Sequence, residues 1–583
     1  MKDSARFLRE RAELDRLEGE VDWLVFTWRI DSVGVIEVDF DLVVHGRTFA
    51  ARMTYPNVFP NSPPYIRPRD SSERWTAHQY GDGGSLCLEW RADNWHPHVT
   101  GADIIQSAFD LLSAEQHPAH PAVVPSAHYV TEGQSMRSNN YRFVVTDGLL
   151  HALNVLPQNS SAILTTHTVF NLSATVVFVS EISTDDSAGQ KISDLPLAMY
   201  TYTTLLALKG EGWVFKSDAF DNAATISSTD DLLRMLSESD LQLDCLVVKE
   251  EGASKFKGGV VVLIGAGLML PRVFKIEFSE QVLREYRVIM PSSSTARLPE
   301  ECEQLSTVRV GIVGMGSIGS KVALSLARSG VRKFLLLDDD YLMPGNLVRH
   351  ELSWAFVGVH KVNAVHDALG LVAAGMDVAV RTHRLAGQES GLSAAAALKD
   401  LANCDLLIDA TANPEVFLRM AAIAKANKKS LCWGELFASG YGGLIARARP
   451  DLDPSPLAVR SSIHAYFSTL PSAPFQQAGG YDVEQEQPLI AYDADVGQIA
   501  TSLTRFVIDT VLQRNPSQFP YSAYLIGLRQ EWVFGQPFDT RPINVEGEGW
   551  DEPAKSGEGD SEAISVLLKL FEDRQRDQTD SPS

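Results

Sequence analysis

The chain has 583 residues, 45% of them apolar and 21% charged. That is too long for one hydrophobic core and ordinary for a soluble globular protein of roughly three or four domains. Its 51 basic and 74 acidic side chains leave a formal charge of −23; such a surface repels phosphate backbones and anionic lipid, so neither nucleic acid nor a membrane is an expected partner. The cysteines Cys87, Cys245, Cys302, Cys404 and Cys432 are scattered, odd in number and without a CxxC pair, which speaks against a disulfide framework or zinc ribbon and for a reducing compartment.

The first twenty residues, MKDSARFLRERAELDRLEGE, read as a charged amphipathic helix with Phe7, Leu8, Ala12, Leu14 and Leu17 at helical spacing, not as a secretory signal. The longest apolar run, near 260–270, is broken by Gly265 and Gly267 and is too short to span a bilayer, so a cytoplasmic location is expected. Three strand-like runs follow, WLVFTWRI, VIEVDFDLVV and TFAARMTY, then a proline-rich extended segment from Tyr55 to Pro64 and a helical pattern over 101–115. Residues 1–118 thus form an expected α+β domain, and 119–139, rich in proline, histidine and small polar residues, a linker.

Residues 140–295 alternate β-rich runs (TTHTVF, ATVVFVSEI, LDCLVVKE, GVVVLIG) with turns and carry no motif with evident chemistry. From Val308 the order changes to strand, glycine turn, helix, strand: VRVGIV, GMGSIG, SKVALSLARSG, KFLLLDDD. Two further units, CDLLIDA with a helix from Pro414 and then SLCWGEL, extend the pattern to a mostly parallel sheet covered by helices over 296–548. The tail, 549–583, ends in an expected helix, SEAISVLLKLFEDRQ. The whole reads as a multidomain α/β protein.

Gly314, Gly316 and Gly319 spell G-x-G-x-x-G between a strand and a helix. Glycines there permit a tight turn and close backbone approach, while the helix start offers unpaired N–H groups to phosphate. Ile318, Val322 and Leu326 give the helix a buried face and Gly330 its stop. Asp338, at the end of the next strand, suits a ribose. These features fit NAD as well as ATP. The segment LDDDYLMPGNLVRHELSWAFVGVHK favours ATP, because it resembles the signature of the adenylating family that includes ThiF-type sulfur-carrier activators and ubiquitin-activating enzymes. Asp338, Asp340, Asn346, Arg349 and Lys361 match that signature. The resemblance implies a ThiF-type, Rossmann-like domain that binds ATP and Mg²⁺ and joins a carboxylate to the α-phosphate, with Arg349 and Lys361 relieving the charge repulsion of that attack. One position departs: where the family has an Asp before Asn as magnesium ligand, this chain has Ala412, leaving Asp409 or Asp340 to serve the metal.

The N-terminal domain resembles the ubiquitin-conjugating fold through Tyr55, Pro56, Phe59, Pro60, Pro63, Pro64, His78, Gly84, Cys87, Leu88, Trp95, Pro97 and Thr100, in family order. The resemblance implies that Cys87 carries an acyl group as a thioester; a cysteine in a glycine-rich loop is accessible and sulfur holds acyl groups reversibly. The family's His-Pro-Asn is here His78-Gln79-Tyr80, so its Asn is absent and Asp93, Asn94 or His96 is left to compensate. Ubiquitin-activating enzymes also carry a cysteine of their own downstream; only Cys432 lies there, in a strand-like run, and the segment 450–495, where a crossover loop is expected, has none. Either the adenylate passes directly to Cys87, or Cys432 accepts it after a rearrangement.

Both modules in one chain resemble the bacterial activating–conjugating fusions of antiphage systems, above all CBASS. That resemblance implies a homodimer that joins the C-terminal glycine of a cGAS-like nucleotidyltransferase, or of a ubiquitin-like protein, to an acceptor amine. The alternative is a sulfur-carrier or peptide adenylating enzyme whose N-terminal domain only binds partners.

Overall fold

A computed structural model describes residues 4–76, 78–116, 140–170, 173–184, 189–195, 207–221, 226, 228–239, 241, 246–250, 253–265, 270–277, 282–291, 297–472, 491–551, 564–566 and 568–569. The expected linker at 119–139, Cys245 and most of the expected C-terminal helix lie outside them. The chain divides into two compact units, 1–138 and 139–583.

In the first unit the helix Ser4–Glu20 precedes a four-stranded antiparallel meander, Leu24–Ile30, Ile36–Val44, Arg47–Thr54 and Tyr65–Pro68, and the helix Gly101–Glu115 closes the core. Alternation drives the sheet: Val38, Phe40, Leu42 and Val44 face inward together with Phe49, Ala51 and Met53. The first helix buries Leu14 and Leu17 as expected, but Leu8 is exposed, and Arg6 and Glu10 take its place on the buried face. The pair is bonded into its surroundings: Glu10 Oε2 accepts from Gly101 N at 2.6 Å and Tyr55 Oη at 2.9 Å, and Arg6 donates to Val99 O at 2.5 Å. The first helix is thereby bonded to the loop that opens the last one.

The second unit holds two eight-stranded sheets. In the first, Tyr141–Val144 pairs with both Val282–Ile289 and Thr175–Ser183, so seven of its strands close into a ring and Gln190–Lys191 hangs on as an eighth. Closure removes the sheet edges that the β-rich sequence would otherwise expose.

The other sheet runs in the order Asp377–Arg381, Lys333–Leu337, Arg309–Val313, Leu406–Asp409, Ser430–Leu436, Gly442–Ala448, Ala523–Gly527, Thr540–Ile543. Its first five strands are parallel and the last three antiparallel. The helices Ser317–Arg328, Lys361–Val372 and Asp493–Val511 pack on one face, and Gly391–Ala402, Pro414–Asn427 and Pro456–Ser468 on the other. Ile318, Val322 and Leu326 are buried as expected, and Gly330 ends its helix at φ +118°. The strand Arg309–Val313 sits between its successors Lys333–Leu337 and Leu406–Asp409. That reversal of strand order opens a crevice at the carboxyl ends of these strands, where the glycine turn lies.

Candidate active site

The crevice is a cleft of about 500 Å³, within the usual range for small-molecule sites, and is walled by Gly314, Gly316, Asp338, Asp340, Lys361 and the segment 410–413, among others. The three glycines do different jobs. Gly314 has φ +90°, and a Cβ there would press on Thr411 and Ala410. A Cβ on Gly319 would collide with the carbonyl oxygen of Gly314. Around Gly316, in contrast, a Cβ would meet nothing within 4 Å; its face is open to the cleft at the first turn of the helix Ser317–Arg328. A phosphate fits that open face, where N–H groups of a helix start are unpaired.

Asp338 holds the turn from the next strand. It accepts from Met315 N at 2.6 Å and Asp340 N at 2.8 Å. Burial raises its pKa, with Lys361 opposing. Lys361, buried at the start of its helix, reaches Asp340 Oδ2 at 2.6 Å. The cleft therefore presents a cation already neutralised by a carboxylate on one side of the glycine turn.

The remaining expected residues stand around the cleft without lining it. Asn346 accepts from Met343 N at 2.8 Å and caps the short turn Pro344–Val348. Arg349 follows that turn, half-buried. Asp409 is buried, accepts from Thr411 N and Oγ1 at 3.0 and 2.6 Å, and faces a smaller pocket of about 80 Å³ shared with Glu435 and Arg460. Asp409, expected as a metal ligand, does not line the larger cleft; Thr411 occupies its Oδ1, and burial raises its pKa. Asp340, the other candidate, is paired with Lys361. Among the described residues no group of three or more His, Cys, Asp or Glu side chains is set to hold a metal ion.

Cys432 lies wholly buried in its strand, and burial pushes its thiol up to about 12. In this conformation it does not line the cleft. Nor is the segment expected as a crossover loop irregular throughout: Pro456–Ser468 is a helix, with Pro456 in its first turn.

Two residues of the site had no sequence signal that separated them from their neighbours. His350 is buried; its Nδ1 accepts from Leu352 N at 3.2 Å, so Nε2 carries the proton and donates to Met315 O at 2.9 Å. Burial lowers its pKa, in keeping with a neutral ring. It fastens the glycine turn to the segment that bears Arg349. His383, beyond the strand Asp377–Arg381, lines the cleft, and its buried Nδ1 has no hydrogen-bond partner among the described residues.

In the first unit, Cys87 is half-exposed between buried Leu86 and Leu88. Its N–H donates to His78 O at 2.6 Å, and Leu86 N to Ile66 O at 2.8 Å. Gly83 has φ +62° and Gly84 no room for a Cβ beneath Tyr80 O; the turn before the cysteine needs both. His78 supports Cys87 through its backbone, while its ring lies 3.7 Å from Glu115. Among the candidates to replace the absent Asn, Asn94 is engaged at both ends, accepting from Arg91 N and donating to Glu89 O, each at 2.7 Å. His96 is exposed and stacks on His98, and Asp93 lies 3.7 Å from Arg91 Nε. The side chains that reach Cys87 Sγ are Arg91, at 3.2 Å, and Tyr80, at 3.9 Å.

Residues 293–454 match the model of the ThiF family. The uncharacterised protein y4qC of Sinorhizobium fredii is 23% identical over 491 residues, 76% of this chain and 78% of its own length. The ATP-dependent ubiquitin transferase-like protein Cap2 of Enterobacter hormaechei is 32% identical over 130 residues, 22% of this chain and 21% of its own. Ubiquitin-conjugating enzyme E2 7 of Triticum aestivum is 31% identical over 110 residues, 16% of this chain and 61% of its own. The last two relatives are thus spanned over less than two thirds of their length. No helix among the described residues is long and apolar enough to cross a membrane.

Proposed function

We propose that the ThiF-type domain uses ATP to adenylate the C-terminal carboxylate of a protein or peptide, and that the acyl group passes to Cys87 as a thioester before transfer to an amine. The observation that carries this is the pairing, in one chain, of a glycine-turn cleft bearing Asp338 and Lys361 with a half-exposed cysteine in a structured loop.

The chemistry follows from the walls. The triphosphate lies along the open face of Gly316, where helix N–H groups and Lys361 offset its charge. Asp338 takes the ribose. The substrate carboxylate attacks the α-phosphorus, the bond to pyrophosphate breaks, and Lys361 with Arg349 stabilises the charge that builds there. Mg²⁺, the natural counter-ion of ATP, would supply further charge neutralisation at the phosphates, with Asp340 and Asp409 the carboxylates expected to serve it. The Cys87 sulfur then displaces AMP, and an amine displaces the sulfur. A linked acceptor thiol sees a high local concentration of adenylate, which is the physical advantage of having both groups in one chain. The similarity to an ATP-dependent ubiquitin transferase-like protein and to a ubiquitin-conjugating enzyme supports a ubiquitin-like transfer; the sequence resemblance to activating–conjugating fusions adds the proposal of a glycine-ended substrate, either a cGAS-like nucleotidyltransferase or a ubiquitin-like protein, and of a homodimer acting in antiphage defence.

ATP–pyrophosphate exchange tests the first half. With a glycine-ended cGAS-like nucleotidyltransferase or ubiquitin-like protein as substrate, the wild type exchanges label. Lys361→Ala and Arg349→Ala lose about 10²-fold or more, the usual cost of removing a charge-stabilising donor. Exchange that survives both substitutions undified would exclude these two residues from the chemistry. Exchange without any thioester would favour the sulfur-carrier or peptide-adenylating reading.

A further inference from the structure

Resting on Cys87 as the acyl carrier, we infer that Arg91 and Tyr80 form the oxyanion-binding group of the transfer step, in place of the asparagine that the sequence lacks. Three polar groups converge. Arg91 Nη1 lies 3.2 Å from Cys87 Sγ and 3.5 Å from Tyr80 Oη, and Tyr80 Oη lies 3.9 Å from the same sulfur. The carbonyl oxygen of an acyl group on Sγ is two bonds away from the sulfur, within reach of donors so placed.

The backbone that carries this side chain is fixed: Arg91 N–H donates to Asn94 Oδ1, and the Asn94 amide donates to Glu89 O. The Arg91 Nε is buried without a hydrogen bond and lies 3.7 Å from Asp93 Oδ1. The side chain is mostly covered, at 25% exposure, so its charge is less screened than that of a surface arginine. Tyr80 is open to solvent, 65% exposed, and contributes a neutral donor that can swing toward the oxygen.

In the step itself the amine nitrogen attacks the thioester carbon and a C–N bond forms. The carbonyl electron pair moves onto oxygen, where Arg91 and Tyr80 donate to it. Collapse restores the carbonyl, breaks the C–S bond and returns its electron pair to Cys87 Sγ, while the amine proton leaves to water. Donors aimed at charge that exists only in the intermediate accelerate the step without tightening the ground state. Arginine suits the task because its donors lie in a rigid plane and its charge is permanent.

The test bypasses adenylation. The whole chain is loaded at Cys87 by exchange with a Gly-Gly peptide thioester, with Cys87→Ala as the blank, and discharge to hydroxylamine is timed. Arg91→Ala loads but discharges at least about 10-fold more slowly than wild type. Arg91→Lys recovers part of the rate, and Tyr80→Phe loses a few-fold. A merely structural role would alter the loaded fraction, and Arg91→Lys would not restore the rate. Discharge of loaded Arg91→Ala at the wild-type rate overturns the inference. Failure of ATP-driven loading on wild type would instead count against the adenylation reading and leave this comparison intact.

Discussion

A methyl group on Gly319 would collide with the carbonyl of Gly314, whereas one on Gly316 would meet only the open cleft. The two substitutions therefore separate folding from binding. Gly319→Ala is expected to destabilise the domain by about 1–3 kcal/mol, as overpacking does, and to weaken ATP binding with it. Gly316→Ala leaves the melting temperature near wild type and lowers ATP affinity alone. Thermal melts beside calorimetric ATP titrations check both, and equal behaviour of the two variants would contradict this division. The motif made all three glycines legible in the sequence, but their separate jobs depend on neighbours distant in the chain. His350 likewise meets a partner 35 residues away, whereas Arg91 stands only four residues from Cys87. Neither sits in a periodic pattern, and each acquires its partner only through folding, His350 at Met315 O and Arg91 at Cys87 Sγ.

Among the elements, four of the five parallel strands beside the cleft were legible as apolar-rich runs, whereas Asp377–Arg381, with a charge at each end, gave no such signal, and Ser430–Leu436 leads into an antiparallel strand instead of a helix. The antiparallel half was not legible. GELFASGYGGLIARARP reads as a strand running into a glycine turn, and the strand Gly442–Ala448 owes its place to the helix Asp493–Val511 beneath it. A buried ion pair joins them. Arg447, wholly buried, donates to Asp509 Oδ2 at 2.8 Å, to Thr510 Oγ1 at 3.0 Å and to Phe519 O at 2.8 Å, with its guanidinium over Phe506. An arginine in an apolar strand gives no hint of this in sequence. Asp509→Ala strands a buried cation and should cost about 3–5 kcal/mol. Burial alone would raise the Asp509 pKa, but the bonds from Arg447, Ser517 and Gln518 outweigh it and lower it below 3.8. A depressed carboxylate stabilises the fold above its unfolded value and loses that contribution as pH falls through the native one. The stability gap between wild type and Asp509→Asn is thus full above pH 3.8 and narrows below it; urea melts across that range check the sign.

At the scale of the molecule, the two units differ in how much the sequence disclosed. In the first unit the apolar spacing over 24–54 and 101–115 disclosed three strands and a helix, whose start is fixed by Thr100 N donating to Asp103 Oδ2 at 2.7 Å. The ring of strands in 140–291 was seen only as β-rich runs, because closure is a matter of non-local pairing between Tyr141–Val144 and strands far along the chain.

The central claim is that one chain both activates a carboxylate and carries it on Cys87. Non-reducing electrophoresis after incubation with Mg-ATP and the glycine-ended substrate tests it most directly. The account predicts a thiol-sensitive shifted band that requires ATP and Arg349, vanishes in Cys87→Ala and persists in Cys432→Ala. Pyrophosphate release with no such band, or a band that survives Cys87→Ala, would contradict it.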